Sequence, residues 1–319
     1  MTQVNHFIGK RPHLFTCQGR LLRGSVSGVQ NLISKADVLL EALPYLQRFH
    51  GKTFVVKYGG SFMDSPDAEV RAGVARDIVF LAAAGIHPVV IHGGGKAITR
   101  AMEKAGLQAT FIQGLRVTDE ATAGVVEQVL SREINPEVVA AIGRFGGRAR
   151  GFSGTEIFMA RKLWLRDAAG GKLDAGFLGE VAGVRTAPLL AELCEGVIPV
   201  SSPTGRGEDG RVYNCNADTA AAQAAIALGA CRLIFMSDVP GVMRDPKDPS
   251  TVIPHLRAEE AEGLKKSGII DRGMIPKVEG ALAALKAGVE KVSLVDGRVP
   301  HAILLEIFTR EGIGTELVA

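Results

Sequence analysis

Four cysteines in 319 residues, Cys17, Cys194, Cys215 and Cys231, stand far apart and form no C-x-x-C pair. That scarcity argues against a disulfide framework or a zinc site and points to a reducing cytoplasm. Aromatic residues make up 5% of the chain, and the net charge is only +3, from 37 basic and 34 acidic side chains. A nucleic-acid partner would call for a larger basic excess and more stacking faces. No apolar run reaches the ~18 residues of a membrane span. The stretch from Met1 to Arg23 holds His, Lys and Arg without an apolar centre, so it does not read as a secretory signal. What the chain has in excess is glycine, 39 residues gathered in short clusters between apolar runs. Such clusters mark loops with a task.

Residues 1–28 are polar, basic and punctuated by Gly and Ser, a loosely ordered texture. From Val29 to Gly51, Leu32, Ile33, Leu39, Leu40, Leu43 and Leu46 recur mostly at helical spacing. The spacing predicts an amphipathic helix, kinked or interrupted at Pro44. It packs either on its own domain or as an oligomerisation arm. Beyond Lys52, apolar strands alternate with helices. The strands are Thr53–Lys57, Pro88–His92, Val197–Ser201, Arg232–Ser237 and Lys291–Val295; the helices are Asp67–Ala84, Ala97–Ala105, Glu120–Arg132, Ala217–Leu228 and Pro276–Ala287. Strands without polar alternation have both faces covered, which predicts an open, mainly parallel sheet with helices on both sides. Two β-prone segments, Ile157–Leu165 and Phe177–Val184, flank a turn at Ala168–Gly171 and predict a hairpin at the sheet rim.

Ligands of open α/β sheets sit at the carboxyl ends of the strands. There the first strand runs into Lys57-Tyr58-Gly59-Gly60 and the second into His92-Gly93-Gly94-Gly95 at a helix start. Each glycine turn serves either tight strand–helix packing or an anion held on free backbone N–H groups. Neither is a Walker loop or a G-x-G-x-x-G fingerprint. Asn214-Cys215-Asn216-Ala217-Asp218 opens an apolar helix; Asn216 suits its N-cap and Asp218 its first turn, which leaves Asn214 without a task. Lys277, just after Gly273-Met274-Ile275-Pro276, stands at a helix start where the dipole disfavours a cation, so it more plausibly meets an anion. No nucleophile–base set has local support, and His87 and His92, five apart on a strand, lack ligand spacing. Two lysines at glycine turns suit a transferring phosphoryl group. A carboxylate acceptor, ionised at neutral pH, needs no general base.

At these residues the chain resembles the N-acetyl-L-glutamate kinases of the amino acid kinase family. The carriers run in order from Lys52 to the end: Val56–Gly60, Val90–Gly95, Gly114–Thr118, Asn214–Asp218, Ser237–Val242, Gly273–Val278, Asp296–His301 and Gly312–Thr315. The resemblance implies a three-layer sandwich over residues 52–319, its N-terminal half for acetylglutamate and its C-terminal half for ATP, behind a helical extension over residues 1–51. It implies that Lys57 and Lys277 neutralise the phosphoryl group while Asp218 holds both ammoniums. Gly59, Gly60, Gly93, Gly94 and Gly95 would donate backbone N–H groups, Arg116 would clamp the α-carboxylate, and Asn214 would meet the acetamido or carboxyl region. The nucleotide would lie over Ser237, Asp238, Val239, Pro240, Gly241 and Val242 and the Gly273-Met274-Ile275 turn. Mg²⁺ would bridge the phosphates, mostly through nucleotide oxygens and water, and the resemblance names no protein ligand for it.

Departures are Lys96, where relatives often carry proline, a short Ser153–Ile157 loop, and Asp271-Arg272 in place of a small pair. None removes a proposed catalytic group. Rival readings are another amino acid kinase, acting on UMP, carbamate, glutamate or aspartate, and a non-catalytic sensor such as the kinase-like part of some acetylglutamate synthases. The retained lysines and the chain's ending soon after Thr315 disfavour the sensor. Resemblance to arginine-inhibited members further implies a cytoplasmic enzyme, a dimer assembled into a hexamer through the N-terminal helix, and an L-arginine site near His301, Glu311, Gly312 and Gly314.

Overall fold

The computed structural model describes residues 26–59, 68–167, 169–270 and 272–319. Residues 1–25, Gly60, Asp67, Ala168 and Asp271, on which several expectations fall, lie outside the described residues. The chain divides into two compact units, Met1–Glu41 and Ala42–Ala319. A helix, Val26–Phe49, runs across that division and continues through Pro44 instead of ending there. Within the first unit its apolar residues Val29, Leu32, Ile33, Val38, Leu39 and Leu40 are exposed. Within the second unit its last turns bury Phe49 edge-on to Phe54, at 5.1 Å between centroids, and set Tyr45 against Phe308.

Fourteen strands follow among the described residues: β1 Thr53–Tyr58, β2 His87–His92, β3 Phe111–Ile112, β4 Leu115–Arg116, β5 Ala149–Phe152, β6 Phe158–Arg166, β7 Lys172–Val184, β8 Ile198–Ser201, β9 Thr204–Gly207, β10 Val212–Cys215, β11 Arg232–Ser237, β12 His255–Arg257, β13 Lys291–Asp296 and β14 Thr315–Val318. Eight form one sheet in the order β12-β14-β13-β11-β1-β2-β8-β5. Its pairs are parallel except β13 with β14, so six strands bring their carboxyl ends to one edge. Side chains alternate between two cores, as a two-residue period requires. Val55, Val89, Ile91, Leu233 and Phe235 pack on the alanine-rich helix Ala217–Ala227, while Val56, Val90, Ile234 and Met236 join the core of the helix Ala68–Ala83 on the opposite face.

The five anticipated strands stand within a residue of their expected ends, because both faces are buried and the apolar runs are continuous. Two expectations change. The helix from Glu120 is α-helical only to Glu127, then π-helical over Gln128–Ile134, and resumes as Asn135–Arg144. The β6–β7 hairpin is not a lone hairpin; with β9 and β10 it closes a four-stranded barrel separate from the main sheet. Its extra strands are four residues long, and β9 carries two glycines because a Cβ on Gly205 would strike Ala160 and one on Gly207 would strike Tyr213. Such strands carry no alternation to read.

Candidate active site

The site begins with a helix start. Asn216 caps the helix Ala217–Ala227, its Oδ1 accepting the N–H of Asp218 at 2.8 Å and of Thr219 at 3.1 Å. Capping is thereby complete without the Asp218 carboxylate. Asp218 Oδ1 instead lies 2.9 Å from Lys57 Nζ at the end of β1, and Oδ2 accepts from Lys277 Nζ at 3.0 Å. The first contact is close but off the hydrogen-bond axis; the second is aligned. Lys277 also donates to the Gly273 carbonyl at 3.1 Å. Burial by itself would raise the Asp218 pKa, but the two ammoniums more than offset it and hold the carboxyl below its usual range.

Small residues make this meeting possible. A Cβ on Gly280 would lie 3.0 Å from the Cβ of Ala222, so the helices Ala217–Ala227 and Ile275–Lys286 touch backbone to backbone there. One turn back on each helix stand Asp218 and Lys277.

Two clefts meet at this ion triad. One, of about 240 Å³, is lined by Lys57, Gly94, Gly95, Arg116, Asn214 and Asp218. The other, also about 240 Å³, is lined by Ser237, Val239, Gly241, Gly273, Met274 and Lys277. A larger hollow of about 400 Å³, beside Glu127, Arg132, Phe177 and Arg211, holds none of the anticipated residues. Residues 52–296 match the Amino acid kinase family. Over 294 residues the chain is 47% identical to an acetylglutamate kinase of Akkermansia muciniphila, covering 92% of this chain and 98% of that one. It belongs to the acetylglutamate kinases of that family.

Solved structures agree. An N-acetylglutamate synthase from Neisseria gonorrhoeae, 28% identical, superposes with a TM-score of 0.77 in its complex with coenzyme A and N-acetyl-glutamate and 0.73 in that with coenzyme A and L-arginine. Each match covers 89% of this chain but 63% and 65%, respectively, of the synthase, so this chain spans less than two thirds of that protein.

Within this family member the anticipated residues divide as follows. Arg116 reaches the cleft on a hairpin whose two-residue turn uses left-handed Gln113 (φ 52) and Gly114 (φ 78). Its guanidinium lies 4.7 Å from the Phe111 ring centroid. Nη2 donates to the Gly95 carbonyl at 2.9 Å and to Thr99 Oγ1 at 2.8 Å, and Nη1 rests on Met102 Sδ. Asn214 donates from Nδ2 to Thr118 Oγ1 at 3.1 Å, which leaves its carbonyl oxygen for a ligand. Gly93 lines the cleft, but its N–H is taken by the Tyr58 carbonyl at 2.8 Å, so Gly94 and Gly95 are the remaining donors of that turn.

Gly59, directly after β1, is buried and lines neither cleft, and Gly60 is outside the described residues. Asp238 and Val242 line the nucleotide-side cleft with their neighbours, whereas Pro240 and Ile275 are not among its lining residues. Thr315 braces that loop, its Oγ1 accepting the Val242 N–H at 2.8 Å. Of the four residues expected near an arginine site, His301 precedes the helix Ala302–Phe308 and Glu311, Gly312 and Gly314 follow it. His301 binds Asp77 at 2.8 Å at one end of the helix Ala302–Phe308, and Glu311 is exposed beyond the other. Glu306, not anticipated, accepts the N–H groups of Ile313 and Gly314. Sequence reading also passed over Thr99, Met102 and Asn135, whose partners are far along the chain.

Proposed function

We propose that the chain moves the γ-phosphoryl group of ATP onto the side-chain carboxylate of N-acetyl-L-glutamate, releasing ADP and an acyl phosphate. The observation that carries this reading is the lysine pair bridged by Asp218 at the junction of two clefts. Acetylglutamate occupies the Arg116–Asn214 side and the nucleotide the Ser237–Val242 side. A carboxylate oxygen attacks the γ-phosphorus, the bond to the β–γ bridging oxygen breaks, and its electron pair leaves with ADP. No proton moves, because a carboxylic acid with a pKa near ~4 is already ionised. Lys57 and Lys277 meet the charge that spreads over the phosphoryl oxygens, while Asp218 keeps both ammoniums pointed at that spot. Arg116 exchanges its sulfur contact for the substrate's α-carboxylate, and the Asn214 carbonyl accepts the acetamido N–H.

Among the described residues no three His, Cys, Asp or Glu side chains gather as a metal cage. Mg²⁺ fits as a companion of the nucleotide held by phosphate oxygens and water, and no step here depends on a protein ligand to it. Among those residues, too, no helix is long and apolar enough to cross a membrane. The three cysteines among the described residues, Cys194, Cys215 and Cys231, are free, which suits a reducing cytoplasm. ATP consumption tested with N-acetylglutamate, glutamate, aspartate, carbamate and UMP decides the reading. Turnover with acetylglutamate exceeding the others at least a hundredfold supports it; a preference for any other acceptor overturns it.

Feedback inhibition by L-arginine and a hexamer built as a trimer of dimers belong to the same proposal. They draw on the exposed apolar stripe Val29–Leu40 and on the synthase solved with arginine. Deleting residues 1–50 is expected to leave an active dimer that arginine does not inhibit. An intact protein that is itself a dimer, unaffected by millimolar arginine, contradicts this part.

A further inference from the structure

Behind the Gly93–Gly95 turn lies a buried polar pair that the transfer chemistry does not use. His92, at the end of β2, is fully buried, and Asn135, the first residue after the π-helical stretch Gln128–Ile134, is 3% exposed. The Asn135 amide nitrogen lies 3.0 Å from the Val200 carbonyl and 3.4 Å from that of Phe152. Carbonyls only accept, so this side of the amide must be the NH₂. Its other neighbour, His92 Nε2 at 3.2 Å, is therefore an acceptor and carries no hydrogen. In a neutral ring the proton then sits on Nδ1, which lies 3.1 Å from the Gly93 carbonyl and donates to it. Burial keeps the ring neutral, lowering its pKa to about 4.

The consequence reaches the cleft through one peptide plane. With the Gly93 carbonyl turned inward to His92, the trans peptide sends the Gly94 N–H the opposite way. Gly93 to Gly95 line the cleft beside Lys57. The π-helical stretch closes on the same spot, since a Cβ on Gly94 would collide with Leu130 and Ile134. A wide helical turn at that point places Leu130, Ile134 and Asn135 together.

We propose that Asn135 and His92 are positioning residues, a clamp that fixes the Gly93–Gly94 peptide so that its N–H faces the transferring phosphoryl group. The activity arm of this inference rests on the kinase reading; the spectroscopic arm does not. Asparagine at position 92 reproduces the Nδ1 donor, and glutamine reproduces only the Nε2 position. His92→Asn is expected to keep turnover within about tenfold of the parent, while His92→Gln, of similar bulk and polarity, loses about a hundredfold in kcat with the Michaelis constant for ATP little changed. Equal losses in both variants, tracking equal losses of melting temperature, would show a purely structural pair and overturn the proposal. Independently of any activity, ¹⁵N-histidine spectra of the intact protein at neutral pH should give His92 as the Nδ1–H tautomer, and Asn135→Leu should free it to exchange. An Nε2–H tautomer in the parent refutes the clamp whatever the reaction proves to be.

Discussion

Replacing Asp218 with asparagine keeps the shape of the side chain and removes the charge that two lysines share. Their contacts of 2.9 and 3.0 Å to its two oxygens confine the ammoniums to one locus. With both cations within about 8 Å of each other, an effective dielectric of ~20 gives about 2 kcal/mol of repulsion that the carboxylate now offsets. Released, that repulsion alone slows turnover about thirtyfold, and outright loss of one ammonium from the phosphoryl group brings the effect to about a thousandfold. Both Michaelis constants should change by less than about threefold, because neither cleft loses a wall. Stability at neutral pH should fall only modestly, since Asn216 still caps the helix. Steady-state assays varying each substrate, with a thermal melt alongside, separate these effects. Turnover within threefold of the parent, or a loss recovered by raising either substrate, would falsify the shared-carboxylate argument.

Acid titration gives the matching stability test. Asp218 has a lowered pKa in the fold, so its stabilising contribution is complete above the unfolded value near ~3.9 and is lost as pH falls through the folded value. Denaturation curves of the parent and Asp218→Asn should therefore stay a constant distance apart above about pH 4 and draw together only as the pH falls below it, through the folded value. Arg116→Lys keeps a cation but not the planar fork, so calorimetry should show weaker acetylglutamate binding with nucleotide binding unchanged; a shift on the nucleotide side instead reverses the assignment of the clefts. Ala222→Leu forces the two helices apart at Gly280, which should lower the melting temperature and cut turnover together, whereas full activity would show that the close crossing does not position Lys277.

The strands that carry this site were legible because burial on both faces wrote continuous apolar runs, as in Phe54–Val56 and Leu233–Met236. Lys57 and Lys277 were legible for a different reason: each is a cation at a glycine turn where the backbone already favours anions. The ion triad itself was not in any local pattern. It depends on Ala222 meeting Gly280, a contact between helices far apart in the chain. Asn135 escaped notice on the same grounds, as it bonds residues 43 and 65 positions away and its own neighbourhood reads as ordinary helix. The barrel was hidden by β9 and β10, each four residues long and too short to show a period. The arginine-site residues were named from the family resemblance alone, which did not show that Glu306 holds the Ile313 and Gly314 N–H groups.

The central claim is that a carboxylate oxygen of acetylglutamate attacks phosphorus between the two lysines. Phosphorus NMR of the product formed from side-chain ¹⁸O-labelled N-acetylglutamate and ATP tests it directly. An acyl phosphate signal with the isotope shift of one bridging ¹⁸O, formed by the parent and lost in Lys57→Ala and Lys277→Ala, is the result predicted. Inorganic phosphate free of ¹⁸O as the only product, or a labelled acyl phosphate made equally well by both lysine variants, contradicts the account.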